Sequence, residues 1–304
     1  MPKAASGPEV AGSYLCDMPD RLSQRLHVRA DICGNNVCLG LDPVLARIPL
    51  EGTPADVVEK FCLGILDACQ SRGVLPAAIK PNIAYFEALG MDVVARLPKI
   101  LAAWRFAGVH TVLDAKRGDI GRTSAAYAQA AFQTFGADTV TVAPYMGRDS
   151  VEPFLEAPDH SVYLLLRTSN KGARDFQDLI IDGEPLYLHV ARTVAGWKNS
   201  ENIGFVVGAT APDELERIAG WFHGRSLAPS FLIPGVSVPG VAGGQGGGID
   251  EVVRRLRAGG LDPRCHLINS SSGIDYAWER TGDRTTWAIA AVQALEELAE
   301  LAAL

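Results

Sequence analysis

Asp114, Lys116 and Asp119 stand within six positions of one another in the stretch VLDAKRGDIGRT, residues 112–123, directly behind an apolar run. Residues two apart on a strand point to the same side, so Asp114 and Lys116 face the same space, while Asp119 falls in the loop or first helical turn that follows. Burying ions costs several kcal/mol per ion unless they satisfy one another, and a sequence shaped by stability alone seldom ends a buried strand this way. Lys80, which closes another apolar run, extends the set to alternating Lys80, Asp114, Lys116 and Asp119. Such an array can hold a lysine protonated in a dry site beside a carboxylate, the equipment for proton transfer and for stabilising charge at a reacting atom. Singly, the residues have blander readings: Asp119 as a helix cap, Asp114 and Lys116 as an ordinary ion pair.

Eight apolar, β-rich runs must position these groups: 37–41, 76–80, 110–116, 138–143, 161–167, 202–208, 230–235 and 265–269. Between them lie amphipathic helical patterns at 55–70, 92–108, 122–136, 211–222 and 248–260, and another closes the chain at 286–304. Strands apolar on both faces, alternating with helices, indicate a parallel sheet covered on both sides, and at this length a closed (β/α)8 TIM barrel in a single domain fits best. An open, doubly wound sheet is the runner-up. In a barrel of this kind, chemistry gathers at the C-terminal ends of the strands. Asp42 follows the first run there, Lys80 and Asn82 end the second, Asp114 and Lys116 end the third, and Ser169 and Asn170 follow the fifth. The last two runs end in PGVSVPGVAGGQGGG (234–248) and NSSSG (269–273), the loops where this architecture commonly holds a phosphate on backbone N–H groups. Read alone, a glycine-rich loop is only a flexible or tightly turned connection.

The 304 residues are 48% hydrophobic, enough for one large core, which excludes a disordered chain. A net charge of −7 argues against a nucleic-acid or anionic-membrane surface, so an anionic substrate needs local positive charge. Residues 1–20 read as a loose small-residue leader and 21–304 as the barrel. There is neither a signal-like apolar segment nor a run of about 18 apolar residues for a membrane helix, and the expected location is the cytoplasm. Cys16, Cys33, Cys38, Cys62, Cys69 and Cys265 lack C-x-x-C spacing, and reduced thiols are expected. The six histidines, His27, His110, His160, His189, His223 and His266, are scattered without ligand spacing, so neither a metal nor an organic cofactor is expected.

The chain resembles the orotidine 5′-phosphate decarboxylases of the longer bacterial type, from about Arg21 to the last strand. The most specific element is a D-x-K-x-x-D-I-x-x-T pattern, met by Asp114, Lys116, Asp119, Ile120 and Thr123. GLDP at 40–43, KPN at 80–82, RTSNKGA at 167–173, PGV at 234–236 and GGQGG at 243–247 support it in order and spacing. The resemblance implies cofactor-free decarboxylation of orotidine 5′-phosphate to uridine 5′-phosphate, a step of pyrimidine biosynthesis. Lys116 would protonate C6, Asp114 would lie beside the scissile carboxylate, and Lys80 would link the charges to the ribose. Asp119, Ile120 and Thr123 would reach into the other subunit's site in a homodimer. Asp42 would contact the ribose, Ser169 the pyrimidine and Gln245 the phosphate; Asn82, Pro234, Gly235, Ser272 and Gly273 complete the candidate substrate contacts.

One position departs from this pattern. The family usually carries an arginine after the last strand, in a motif like S-S-R-G, where this chain has Ser272. A charge-assisted hydrogen bond worth about 1.5–3 kcal/mol to the phosphate would be missing. Arg167, Arg264 and Arg280 are the cations that could replace it, though each also reads as a surface residue. Two alternatives accompany the main reading: a catalytically weak nucleotide-binding relative, motivated by Ser272, and a magnesium-dependent sugar-phosphate decarboxylase sharing the D-x-K-x-x-D element.

Overall fold

In the computed structural model, which describes residues 21–236 and 248–302, the eight runs become eight strands. They are β1 (Val37–Leu41), β2 (Ala78–Pro81), β3 (His110–Arg117), β4 (Thr139–Val142), β5 (Ser161–Arg167), β6 (Ile203–Val207), β7 (Phe231–Pro234) and β8 (Leu267–Ser270). Each pairs in parallel with its neighbours in chain order, and β8 closes onto β1. β1, β2, β4, β6 and β8 are buried at every position, as strands covered on both faces must be. The expected leader at 1–20 and Gln245 lie outside the described residues.

The helices start and stop for local reasons. Pro54–Arg72 begins at Thr53, whose side chain accepts the Asp56 N–H with Pro54 in the first turn, and ends at Gly73 in the left-handed conformation. The single helix expected over 92–108 is two, Met91–Val94 and Leu97–Phe106, the second carrying a proline in its first turn, where its missing N–H costs no helical bond. The pattern at 122–136 runs as an α-helix over Gly121–Gln129 and a π-turn over Ala130–Thr134. The closing helix spans Trp287–Leu301. A short antiparallel hairpin, Ile180–Ile181 with Glu184–Pro185, and the helix Leu186–Ala195 sit between β5 and β6. Among the described residues no helix is long and apolar enough to cross a membrane.

The barrel interior forms its own apolar cluster, apart from the larger core between strands and outer helices. Cys38, Ala78, Val112, Tyr163, Val206, Leu232 and Leu267, from seven strands, fill it together with Leu22 and Leu26. Those two leucines belong to helix α1 (Leu22–Cys33), which precedes β1 and plugs the N-terminal mouth. This helix escapes a pattern search because only two of its apolar side chains reach the interior, while Arg25 and Arg29 are buried beside them. The opposite mouth is thereby left for polar groups. Leu26→Ala should destabilise the chain by about 2–5 kcal/mol, the cost of a cavity in a closed interior. Denaturant unfolding checks it; a loss below about 0.5 kcal/mol, the range of inconsequential surface changes, would show that α1 is not a plug.

Candidate active site

The end of β3 is where regular strand geometry breaks. Its register against β4 shifts between Leu113 and Arg117, and Lys116 takes a φ of +45°, a left-handed conformation that costs a side-chain-bearing residue about 1–3 kcal/mol. Thr141 of β4 holds this bend. Its hydroxyl accepts the N–H groups of Ala115 (3.0 Å) and Lys116 (2.9 Å) and donates to Asp114 Oδ1 (2.8 Å). One side chain therefore fixes both the distorted backbone and the carboxylate.

Asp114 sits between two ammonium groups. Lys80 Nζ donates to Oδ2 at 2.9 Å and Lys116 Nζ to Oδ1 at 2.7 Å. The side chains of Lys80 and Asp114 are 6% and 8% exposed, whereas that of Lys116 is 50% exposed. The buried pair anchors the cluster, and Lys116 presents its charge at the mouth. Burial alone would push the Asp114 carboxyl up, but the Lys80 and Lys116 ammonium groups outweigh it and hold the group far below the usual carboxylate range. For Lys80 burial acts downward and is likewise overcome, by Asp114 and Asp42, so its pKa lies above an ordinary lysine's.

The neighbouring loops close around this cluster. At Gly40, near the end of β1, a Cβ would fall 1.9 Å from Ser271 Oγ, so only glycine lets the loop after β8 come this close. That loop brings in Asp275 and Tyr276, which the sequence reading did not single out. The Asp42 N–H donates to Asp275 Oδ2 (3.2 Å), and the Tyr276 hydroxyl accepts from Val44 N–H (2.7 Å) while donating to the Asp42 carbonyl (2.8 Å). Asp275 is fully buried; that burial, aided by the charge of Asp42, raises its carboxyl well above the usual range. Among the described residues, Oδ1 of Asp42 and Oδ1 of Asp275 are both buried without a hydrogen-bond partner, leaving polar capacity beside Lys80. At the end of β6, a Cβ on Gly208 would fall 2.8 Å from the Cβ of Ser169, and one on Gly235 would fall 4.0 Å from it. Ser169 and Gly235 are thus neighbours at the mouth.

The remaining candidates are placed less tightly. Asn82 pairs with Asp114 through a backbone bridge, but its side chain caps the helix Ile83–Ala88 by accepting the Ala84 N–H at 3.2 Å. Asp119 Oδ1 accepts the N–H of Ile120 at 2.8 Å, and among the described residues no hydrogen bond or ion pair joins it to Lys80, Asp114 or Lys116. Ile120 and Thr123 are exposed, as are Ser169 and Ser272; Pro234 is half-buried and Gly273 buried.

A family model described as the orotidine 5′-phosphate decarboxylase / HUMPS family matches residues 35–274, which include Lys80, Asp114, Lys116 and Thr141. The chain belongs to that family. It is 44% identical over 244 residues to the orotidine 5′-phosphate decarboxylase of Janthinobacterium sp. (strain Marseille), covering 79% of this chain and 84% of that one. With the enzyme of that name from Azoarcus sp. (strain BH72) it shares 46% over 251 residues, again 79% and 84% of the two chains. The solved structure of Leishmania donovani OMP decarboxylase superposes with a TM-score of 0.70 at 33% identity, covering 92% of this chain and 98% of that one.

Within this decarboxylase family frame, the three arginines weighed as replacements at Ser272 separate clearly. Arg264 sits in the turn before β8, at the other end of the barrel. Arg167 is not a surface residue: its side chain is 7% exposed and lies between Asp178 and Glu214. Arg280 alone touches the loop, its Nη2 lying 3.5 Å from the Gly273 carbonyl while Nη1 binds Glu297 at 2.7 Å. Thr141→Val keeps the shape but strips the buried hub of its acceptor and donor. It should cost about 1–3 kcal/mol in denaturant unfolding, the penalty for unpaired buried polar groups. An unchanged midpoint would show that Thr141 does not hold the β3 bend.

Proposed function

We propose that this chain decarboxylates orotidine 5′-phosphate to uridine 5′-phosphate, in cytoplasmic pyrimidine biosynthesis and without metal or organic cofactor. The observation that carries the reading is the buried Asp114 carboxylate, held between two ammonium groups with the more exposed one, Lys116, at the barrel mouth. When carbon dioxide leaves C6 of the pyrimidine, the bonding pair stays on C6 in the ring plane, where the π system cannot delocalise it. Stabilisation must come from a preorganised external charge. The Lys116 ammonium is that charge; it then transfers a proton to C6, and the resulting amine recovers a proton from solvent. Asp114 keeps the ammonium in place and stands where the departing carboxylate is repelled.

The barrier reduction required lies near the top of the range of about 8–23 kcal/mol seen for enzymes, more than one lysine supplies. Binding energy from the ribose and phosphate must help order the site. Asp42 is the proposed ribose contact and Ser169 the pyrimidine contact, with Asn82 a further substrate contact and Pro234, Gly235, Gln245, Ser272 and Gly273 toward the phosphate. Asp119, Ile120 and Thr123 are proposed to complete the site of a second subunit. In support, Ile120 is 54% exposed and Tyr145, after β4, is 94% exposed, large side chains left uncovered near the mouth. A magnesium-dependent chemistry is disfavoured by the local charge, since the single Asp114 carboxylate faces two ammonium groups and the trio is net positive.

The test is the loss of orotidine 5′-phosphate absorbance in chelator-treated buffer. Native protein should turn over, Lys116→Ala should lose turnover by at least about 10²-fold, the lower end for a general acid, and Ser272→Arg should lower KM by about tenfold, the equivalent of about 1.4 kcal/mol. Mixing Lys116→Ala with Asp119→Ala should restore activity if sites are shared between subunits. No turnover in native or Ser272→Arg protein, although both bind uridine 5′-phosphate, would replace this reading with a nucleotide-binding one.

A further inference from the structure

We propose that His27, Asp262 and Cys265 form a binding site for a zinc-class divalent cation at the N-terminal mouth of the barrel, opposite the candidate active site. His27 lies on α1, while Asp262 and Cys265 belong to the short turn that leads into β8. Their ligand atoms all lie within 4.8 Å of one another. His27 Nδ1 is 3.6 Å from Cys265 Sγ and 3.6 Å from Asp262 Oδ2. Tetrahedral zinc with bonds of about 2.0–2.3 Å requires ligand-to-ligand separations of about 3.3–3.6 Å, so the two separations from His27 nearly match, and the third, between Asp262 and Cys265, is within 4.8 Å.

The surroundings support metal rather than a chance contact. The other ring nitrogen, Nε2, lies 3.3 Å from Asp31 Oδ2, the carboxylate–histidine arrangement that fixes a proton on one nitrogen and frees the other for a metal. Arg264 holds both carboxylates, through Nη2 to Asp262 Oδ2 at 2.7 Å and Nη1 to Asp31 Oδ1 at 3.3 Å. With Cys265 as thiolate, the two carboxylates and the thiolate against one guanidinium leave two negative charges, which a divalent cation balances. On binding, the thiol proton passes to solvent and a sulfur–metal bond forms. His266 stays out of the ligand set, because its Nδ1 already accepts the Phe231 N–H at 3.0 Å. His27 and Asp262 are about one-third exposed, and a cavity of about 340 Å³ lined in part by Asp262 and Cys265 adjoins them, giving entry and room for a water as fourth ligand. Bound metal would clamp α1, and with it the Leu22–Leu26 plug, to the turn before β8. Its role is to stabilise the barrel, independent of the decarboxylation proposed above.

The untagged full chain, dialysed against micromolar zinc chloride, should retain one zinc and unfold at a higher Tm. With cobalt(II) in place of zinc, it should show thiolate-to-metal charge-transfer absorption. Cys265→Ser, His27→Ala and Asp262→Asn should each lose the charge-transfer band or the zinc-dependent Tm rise, Cys33→Ser should keep both, and turnover of the native chain should not change. A native protein with neither the Tm rise nor the cobalt band overturns the site, as does a band that survives in both Cys265→Ser and His27→Ala.

Discussion

The shared carboxylate of Asp114 is the constraint around which the rest of the structure is arranged. Two ammonium groups and one hydroxyl converge on a single buried aspartate. A buried ion pair is weak evidence for stability, because desolvation offsets much of the attraction. Here the cluster also includes a strained residue, since Lys116 is held in a left-handed conformation that the backbone would not choose unaided. Unfavourable local geometry persists only where the surroundings enforce it, and Thr141 supplies that enforcement. The cost is borne at the point where an exposed ammonium is delivered to the barrel mouth.

The barrel separates two tasks between its ends. At the N-terminal mouth, α1 seals the interior with Leu22 and Leu26, so water is kept out beneath the charged cluster. At the C-terminal mouth, strand ends carry the polar groups, and glycines at 40 and 208 let the loops approach until Asp42, Ser169 and the loop after β8 surround one space. The dryness that strengthens the hold of Lys80 on Asp114 comes from the packing below it. Stability at one end and electrostatics at the other are therefore linked through the same interior.

Strands were legible in the sequence because burial on both faces leaves continuous apolar runs, and all eight are found, with ends shifted by a residue or two. Lys80, Asp114 and Lys116 were legible because charge at the end of such a run has few structural explanations. α1 was not, since its contribution rests on two leucines among polar residues. Thr141 was hidden for another reason: a threonine in a strand looks like a β-former, and nothing in TVTV shows which hydroxyl meets a bent backbone. Asp275 and Tyr276 act through a close approach at Gly40 that only the fold creates. Asp119 stands apart from the cluster within one chain, and a sequence pattern cannot say whose site it serves.

The central claim is that Asp114 remains an anion because two lysines hold it. Its pKa is depressed in the folded state, so its contribution to stability is fully present above the ordinary aspartate value of about 4 and is lost progressively as the pH falls from there through the lowered value. The most direct measurement is the carbon-13 shift of the Asp114 side-chain carboxyl during acid titration of the folded protein. The account predicts an ionised signal that persists below pH of about 3, where ordinary carboxylates have protonated. Titration together with the exposed carboxylates, near pH 4 or above, would contradict it.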